Sequence, residues 1–338
     1  MDKIKKRLIF LISFLVWLNF NNYVIAQKTQ IKGFANVNAF VQDGKLNFGI
    51  GEQDLFITSE LNDDFSFLGE TVFKYSPNSP THFNVSIERI IINYNFKGNH
   101  SLLIGKHHTP INYWNDTYHH GRVFFPTIDR PLLFAAGAIP IHTTGIAVQG
   151  LNLGKLKFGY NVMIGNGLGS YEVMDNDKYK SVTAAVHIKP HDRFQIGASF
   201  YNDIISEGAE VNGRVIDEKV NQQLYTATIA HFGKKFELLT EGTFASNRAN
   251  STGMVHSFLS YLYAGYRLKE KWVPYIRMDY LKYQEEEFYY EKDDTTSFLA
   301  GLRYEISYLI VVKMEYQYID REESGQTSLF NTQIAIGF

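Results

Sequence analysis

From residue 28 to the carboxy terminus, apolar and polar residues alternate by twos in run after run. Phe258, Leu262, Ala264, Tyr266 and Leu268 share one parity, and Phe298, Ala300, Leu302, Tyr304 and Ile306 repeat the pattern. Ile310, Val312, Met314, Tyr316 and Tyr318 oppose Lys313, Glu315 and Gln317, while Phe194, Ile196, Ala198 and Phe200 oppose Gln195, Ser199 and Asp203. A period of two marks a strand with one apolar and one polar face. About sixteen such runs fit, over 29–41, 45–60, 64–75, 83–96, 100–107, 143–152, 155–165, 179–189, 193–203, 221–232, 235–246, 255–268, 272–284, 295–306, 309–320 and 328–338. Each is near the length that a tilted membrane-crossing strand requires.

Two runs lose phase. Leu46, Phe48 and Ile50 give way to Leu55 and Ile57 across Gly49-Ile50-Gly51, and the fourth run slips near Glu88-Arg89-Ile90. One extra residue swaps the faces of a strand, so both places predict β-bulges.

Connection lengths then sort by parity. After even runs they are short, as in Leu61-Asn62-Asp63, Lys97-Gly98-Asn99, Leu153-Gly154 and Gly233-Lys234. After odd runs most are long: 76–82, 108–142, 166–178, 204–220, 247–254 and 285–294. A soluble sandwich has no reason to segregate its loops this way, whereas a membrane barrel puts short turns on one side and long loops on the other. The pattern predicts an all-β protein, a transmembrane antiparallel up-and-down β-barrel of about sixteen strands (14–18), formed by residues 27–338 as one domain.

The ends agree with this. Lys3, Lys5, Lys6 and Arg7 precede an apolar stretch, Leu8 to Leu18, and Val24-Ile25-Ala26 offers a small-residue cleavage site. Residues 1–26 are therefore expected to be a signal peptide. The chain ends Ile334-Ala335-Ile336-Gly337-Phe338, and an alternating terminal strand closing on an aromatic residue resembles the last strand of an outer-membrane barrel. That resemblance implies that Phe338 belongs to a signal read by the barrel-assembly machinery.

Composition narrows the class further. Beyond the amino-terminal segment no apolar run approaches the length of a membrane helix. There is no cysteine, which removes disulfides and thiolate metal sites, and a net charge of −2 gives no basic field for nucleic acid. Aromatic residues make up 15% of the chain, as expected where lipid-facing girdles are built from them.

One connection is too long to be a link. Residues 107–142 hold five of the eleven histidines, two arginines, two aspartates and four prolines. They include His107-His108-Thr109-Pro110, Tyr113-Trp114-Asn115, His119-His120-Gly121 and Ile128-Asp129-Arg130-Pro131. In position and length this segment resembles the third loop of Gram-negative outer-membrane porins, which folds into the lumen and narrows it. The motifs over residues 107–131 are also similar to those of porins related to the phosphate-selective group; the phosphate-binding lysines of that group have no residue-by-residue match here. The resemblance implies homotrimer assembly.

Within a barrel, Tyr113, Trp114, Tyr118, Phe124 and Phe125 would pin such a loop to the wall. Lys106, His107, His108, Asp116, His119, His120, Arg122, Asp129 and Arg130 are the expected constriction residues, with charges of both signs to select permeants. By parity His187, Glu237, Glu241, Arg303, Lys313 and Glu315 face the lumen and are expected to line its water. Adjacent histidines on an extended segment point apart, so the histidine pairs read as hydrogen-bonding residues, and no metal or other cofactor is expected. No Gly-x-Ser-x-Gly occurs, and Gly165-Asn166-Gly167-Leu168-Gly169 opens no helix, so it reads as a turn rather than a phosphate cradle. Glu285, Glu286, Glu287, Glu291, Asp293 and Asp294 read as a solvated charged loop tip.

Two functions fit. One is a non-enzymatic porin for passive diffusion of small hydrophilic solutes or ions, in contact with outer-membrane lipid and lipopolysaccharide and with no nucleic-acid partner. The other is a plugged outer-membrane barrel acting as a surface binding or structural protein.

Overall fold

Alternation becomes strand through most of the described chain from residue 28 onward. The computed structural model describes residues 28–42, 44–76, 79–118, 121–167, 174–175, 177–211 and 214–338; the expected signal segment, residues 1–26, lies outside them, as do His119 and His120. The first strands are β1 (Lys28–Gln42), β2 (Lys45–Glu60), β3 (Phe65–Tyr75), β4 (Phe83–Lys97) and β5 (His100–His108). After a long loop come β6 (His142–Leu153), β7 (Phe158–Gly165), β8 (Ser181–His191) and β9 (Phe194–Ile205). A small hairpin, β10 (Glu210–Val211) and β11 (Arg214–Val215), precedes β12 (Val220–Phe232) and β13 (Phe236–Ala249). The last five are β14 (Gly253–Tyr266), β15 (Trp272–Tyr283), β16 (Thr295–Ser307), β17 (Ile310–Arg321) and β18 (Gly325–Gly337).

All except β10 and β11 pair with their sequence neighbours in one closed antiparallel barrel of sixteen strands. The seam joins β1 to β18, with Phe34 opposite Gly337 and Val41 opposite Phe330. Beyond it, Gly33 N donates to Phe338 O at 2.8 Å and Phe338 N donates to Gly33 O at 2.9 Å. Closure leaves no free sheet edge, so the backbone is hydrogen-bonded all the way round.

The two faces of the sheet differ as their sequence parity requires. Along β14, Val255, Ser257, Leu259, Tyr261 and Tyr263 are buried, whereas Phe258 and Leu262 are exposed on the outside. Ile276, Met278, Phe298, Met314, Tyr316 and Ile334 continue that outward apolar belt. An apolar surface this extensive is stable against hydrocarbon and not against water. At the short-turn end the belt ends in stacked or edge-on cross-strand aromatics: Phe65 with Tyr94 at 4.6 Å, Phe236 with Tyr266 at 4.9 Å, and Trp272 with Tyr304 at 4.2 Å between ring centroids. These are the positions of a headgroup girdle.

Both phase slips are bulges. Register shifts between Ala35 and Val37, so that Asn36 faces Gly51 and Glu52 together, and Glu88 is the extra residue where Glu70 pairs with Arg89 but Thr71 with Ile87. The sixth long-side connection is tighter than the sequence suggested. β13 and β14 extend to Ala249 and Gly253, which leaves only residues 250–252 between them.

Candidate permeation site

Loop three, residues 109–141, leaves β5 and returns to β6 by way of helix α1 (Tyr113–Thr117), a 3-10 turn (Arg122–Phe124) and helix α2 (Leu132–Ala135). Its two ends are braced together. Thr109 N donates to Ile141 O at 3.1 Å, and Asn115 Nδ2 donates to Thr109 O and Ile141 O, each at 2.9 Å.

Between those ends the loop packs on the inward faces of β9 and β12 to β17. Ile111, Trp114, Phe125, Leu133, Phe134, Ala138 and Ile139 are buried in one apolar cluster with wall residues such as Leu224, Leu239, Leu259 and Tyr261. Trp114 meets Tyr261 edge-on at 5.9 Å and Phe125 at 5.7 Å. Phe124 stays exposed but sits edge-on to Phe34 of β1 at 5.5 Å.

A loop inside a barrel also has backbone groups that need partners. Here charged wall residues supply them. The Glu241 carboxylate accepts the N–H of Tyr113 and, at 3.2 Å, that of Trp114, and so caps a helix whose own cap residue, Asn112, makes no side-chain cap bond. Glu315 accepts Ile128 N at 2.6 Å, and Asp279 accepts Leu132 N at 3.0 Å. Cations serve the carbonyls: Lys313 Nζ donates to Arg122 O at 2.5 Å and Thr127 O at 3.1 Å, Arg303 to Pro126 O at 3.1 Å, and Arg277 to Asp129 O at 2.8 Å. Arg303 is paired in turn with Glu237 at 2.7 and 2.9 Å.

This corrects the expected lumen wall. Glu237, Glu241, Arg303, Lys313 and Glu315 face inward as parity required, but all are buried beneath loop three and bound to it or to one another. His187 alone of the six stays half-buried beside a cavity. The expected constriction set divides too. Asp116 and Asp129 are exposed and Arg122 and Arg130 half-buried, while Lys106, His107 and His108 are buried in the wall where the loop departs. Lys106 Nζ donates to Ile87 O at 2.8 Å, and the His108 ring lies 5.3 Å from that of His142, which bonds Glu88 at 3.1 Å. These side chains are packed among the strand ends that launch the loop, which is why they do not project from it. His119 and His120 lie outside the described residues.

Several charged residues at this level escaped the sequence reading. Arg122 bonds Glu52 of β2, which Lys74 also reaches at 3.2 Å. Arg89 bonds Glu70 at 2.6 Å and lies over the Phe56 ring at 5.4 Å. Glu52, Glu88 and Arg89 sit at the two bulges, so the phase slips were the available signal. Glu287 was also misjudged. It is buried, accepting bonds from Asn247 Nδ2, Ser257 Oγ and Tyr289 N, so the acidic loop folds into the barrel mouth rather than standing free.

The other side of the lumen mixes polar and apolar residues around two cavities. A cavity of about 140 Å³ lies between the loop, at Asn112, Tyr113 and Asp116, and the wall of β6 to β9. A larger one of about 850 Å³ opens at the short-turn end among Lys28, Gln30, Glu60, Asn93, Asn95 and Gln149. Gln149 lines both. Among the described residues no three His, Asp or Glu side chains converge as metal ligands.

Solved structures share this architecture. A loop-L8 deletion mutant of OmpT, an outer membrane protein of Vibrio cholerae, matches with a TM-score of 0.67 at 14% identity, over 93% of this chain and 100% of that one. The anion-selective porin of Comamonas acidovorans matches with 0.66 at 10% identity, over 92% and 100%. The trimer form of Vibrio cholerae OmpT matches with 0.65 at 13% identity, over 92% and 99%. No protein-family model and no curated protein matches the sequence. At such identities the likeness is one of fold, and with the outward apolar belt it places the chain among the outer-membrane β-barrels.

Proposed function

We propose that the protein is an outer-membrane porin that passes small hydrophilic solutes or ions by passive diffusion, with no chemical step, and that loop three sets the size limit. One observation carries this reading. The apolar cluster and the backbone-directed charges gather most of loop three onto β9 and β12 to β17, its 3-10 turn reaches β18, β1 and β2, and the side of the lumen formed by β3 to β8 keeps two cavities, with polar and apolar lining, that share Gln149. A plug would also need to fill the side formed by β3 to β8, where the cavities lie.

Asp116, Asp129 and Arg130 of the loop, facing Glu52, Lys74, Glu70 and Arg89 of the wall, form the proposed constriction. Charges of both signs meet there, so the expected ion selectivity is weak. The fold likeness to the trimeric OmpT form supports a homotrimer. The outward belt would contact lipid and lipopolysaccharide, and the Phe338 strand would meet the assembly machinery. A phosphate preference gains no support from the smaller cavity, which has neither Lys nor Arg among its described lining residues.

The test is single-channel recording of the refolded protein in a planar bilayer, with reversal potential under a salt gradient. Stable conductance steps are expected. Reproducible insertion without conductance would overturn the porin reading in favour of the plugged, partner-binding barrel.

A further inference from the structure

The smaller cavity has a chemistry that plain diffusion does not use. Asn112 and Asp116 of loop three, Gln149 of β6, Asn161 of β7, His187 of β8 and Gln195 of β9 all border it. Among the described residues, Asn112 Oδ1, Asn161 Oδ1 and His187 Nε2 have no hydrogen-bond partner. These three come from three separate elements, and Asn112 is only 5% exposed. Buried polar atoms without partners are uncommon, and several around one cavity mark a place for a hydrogen-bonding guest. The Asn112 Nδ2 group is committed to Thr243 Oγ1 at 3.4 Å, which leaves the oxygen as its free end. The His187 ring lies against Gly159, where an added Cβ would fall 2.3 Å from Cε1 and 2.4 Å from Nε2.

We propose that this cavity is a binding subsite for an uncharged polyhydroxylated solute, a small saccharide, during its passage. The inference rests on the channel reading above and names the solute class. Carboxamides both donate and accept, and the Asp116 carboxylate accepts from two neighbouring hydroxyls at once, so the set matches a sugar's vicinal O–H groups. Among the described lining residues there is no Lys or Arg and Asp116 repels an anion; Lys189, two residues from His187 on the same face of β8, is the cation that acts on both His187 and Asp116. Tyr113 and Tyr160 add ring surface for the C–H faces of the sugar. A volume of about 140 Å³ equals about four or five waters at roughly 30 Å³ each, the scale of one sugar ring rather than a chain. Binding must be weak enough to release the solute, so affinity in the millimolar range is expected.

The experiment records single channels with xylose or glucose added, and separately with inorganic phosphate at matched ionic strength. Saturable, reversible interruptions by the sugar and none by phosphate are expected. His187→Ala and Asn161→Ala should each weaken the sugar effect by about tenfold, as for the loss of one hydrogen-bonding partner. Conducting channels indifferent to sugar overturn the inference and leave the porin reading standing, as does interruption by phosphate alone. If the protein inserts without conducting, the porin reading falls. Saturation-transfer NMR of xylose with the folded protein in detergent then decides the subsite, since an absence of transfer overturns it.

Discussion

Arg122 of loop three grips the Glu52 carboxylate of β2 through both Nε and Nη2, each at 3.2 Å. Glu52 presents its carboxylate there because the β2 bulge changes the facing of the strand at that residue. Arg122 also donates to Ile128 O at 3.0 Å and to Asp129 at 3.2 Å, so one side chain ties the far limb of the loop to itself and to the wall. Both partners keep some exposure, 17% for Arg122 and 23% for Glu52, which limits the desolvation cost of the pair.

Replacing Arg122 by alanine therefore removes the loop's ion pair with β2 while its bonds to Lys313 and Glu315 persist. The expected result is a larger and noisier single-channel conductance, with a loss of about 1–2 kcal/mol in stability, below the range for fully buried pairs. Glu52→Gln should move both readouts in the same direction by less. Unchanged conductance in Arg122→Ala would show that this limb does not border the permeation path.

Glu241 is a stronger anchor, because it accepts two loop N–H groups together with Thr228 Oγ1 at 2.7 Å and Tyr261 OH at 2.6 Å. Glu241→Ala leaves these donors without an acceptor, each at a cost of about 1–3 kcal/mol if no water enters. Trp114, wholly buried against this site, reports the outcome. In a Trp17→Phe, Trp272→Phe background, its emission should shift to the red in Glu241→Ala and much less in Glu241→Gln.

The barrel was legible because a period of two and loops sorted by length are properties of the chain itself. Inward facing of Glu241, Arg303 and Lys313 was legible for the same reason. What covers an inward residue was not, since parity fixes the face and says nothing about a loop arriving from more than a hundred residues away. Arg303 looked like water lining, yet it donates to Pro126 O. Conversely, the two breaks in the pattern, which weakened the strand assignments at Gly51 and Glu88, mark where charged residues gather at the level of loop three.

Glu287 pins the acidic loop across the mouth. Tyr289 and Tyr290 beyond it are buried with Val211 and Ile216, and Arg214 donates to Tyr289 O. Glu287→Ala should release this cap, and limited proteolysis should then cut within residues 284–294 at rates well above those of the parent protein. Resistance equal to the parent would mean that the tyrosines alone retain the cap.

A second contact between outer loops is sensitive to pH. Glu218 accepts Ser251 Oγ, Ser251 N at 3.2 Å and Asn250 N at 3.0 Å. The Ser251 hydroxyl bond, aided by the two amides, holds the carboxyl below its ordinary range. A lowered folded-state value means that the contact contributes fully above the unfolded value and is lost as pH falls through the folded one. Amide exchange at Asn250 and Ser251, corrected for intrinsic rates, should therefore rise as acidification passes below the ordinary carboxylate range. In Glu218→Gln that dependence should vanish.

Phe338 offers a separation of closure from targeting. Its backbone makes both closing bonds to Gly33, and its ring covers Gly33 but remains 61% exposed. Phe338→Ala keeps the backbone bonds, so refolding into detergent micelles without any machinery should proceed with a stability change of about 0.5 kcal/mol. If the ring is read during assembly, the same variant should accumulate poorly in the outer membrane of cells. Gly33→Val supplies the contrast, because its added carbon falls 2.3 Å from the ring and should impair refolding in both settings until Phe338→Ala relieves it. Equal assembly of Phe338→Ala and parent in cells would leave the terminal aromatic a lipid-facing residue like its neighbours Ile334 and Ile336.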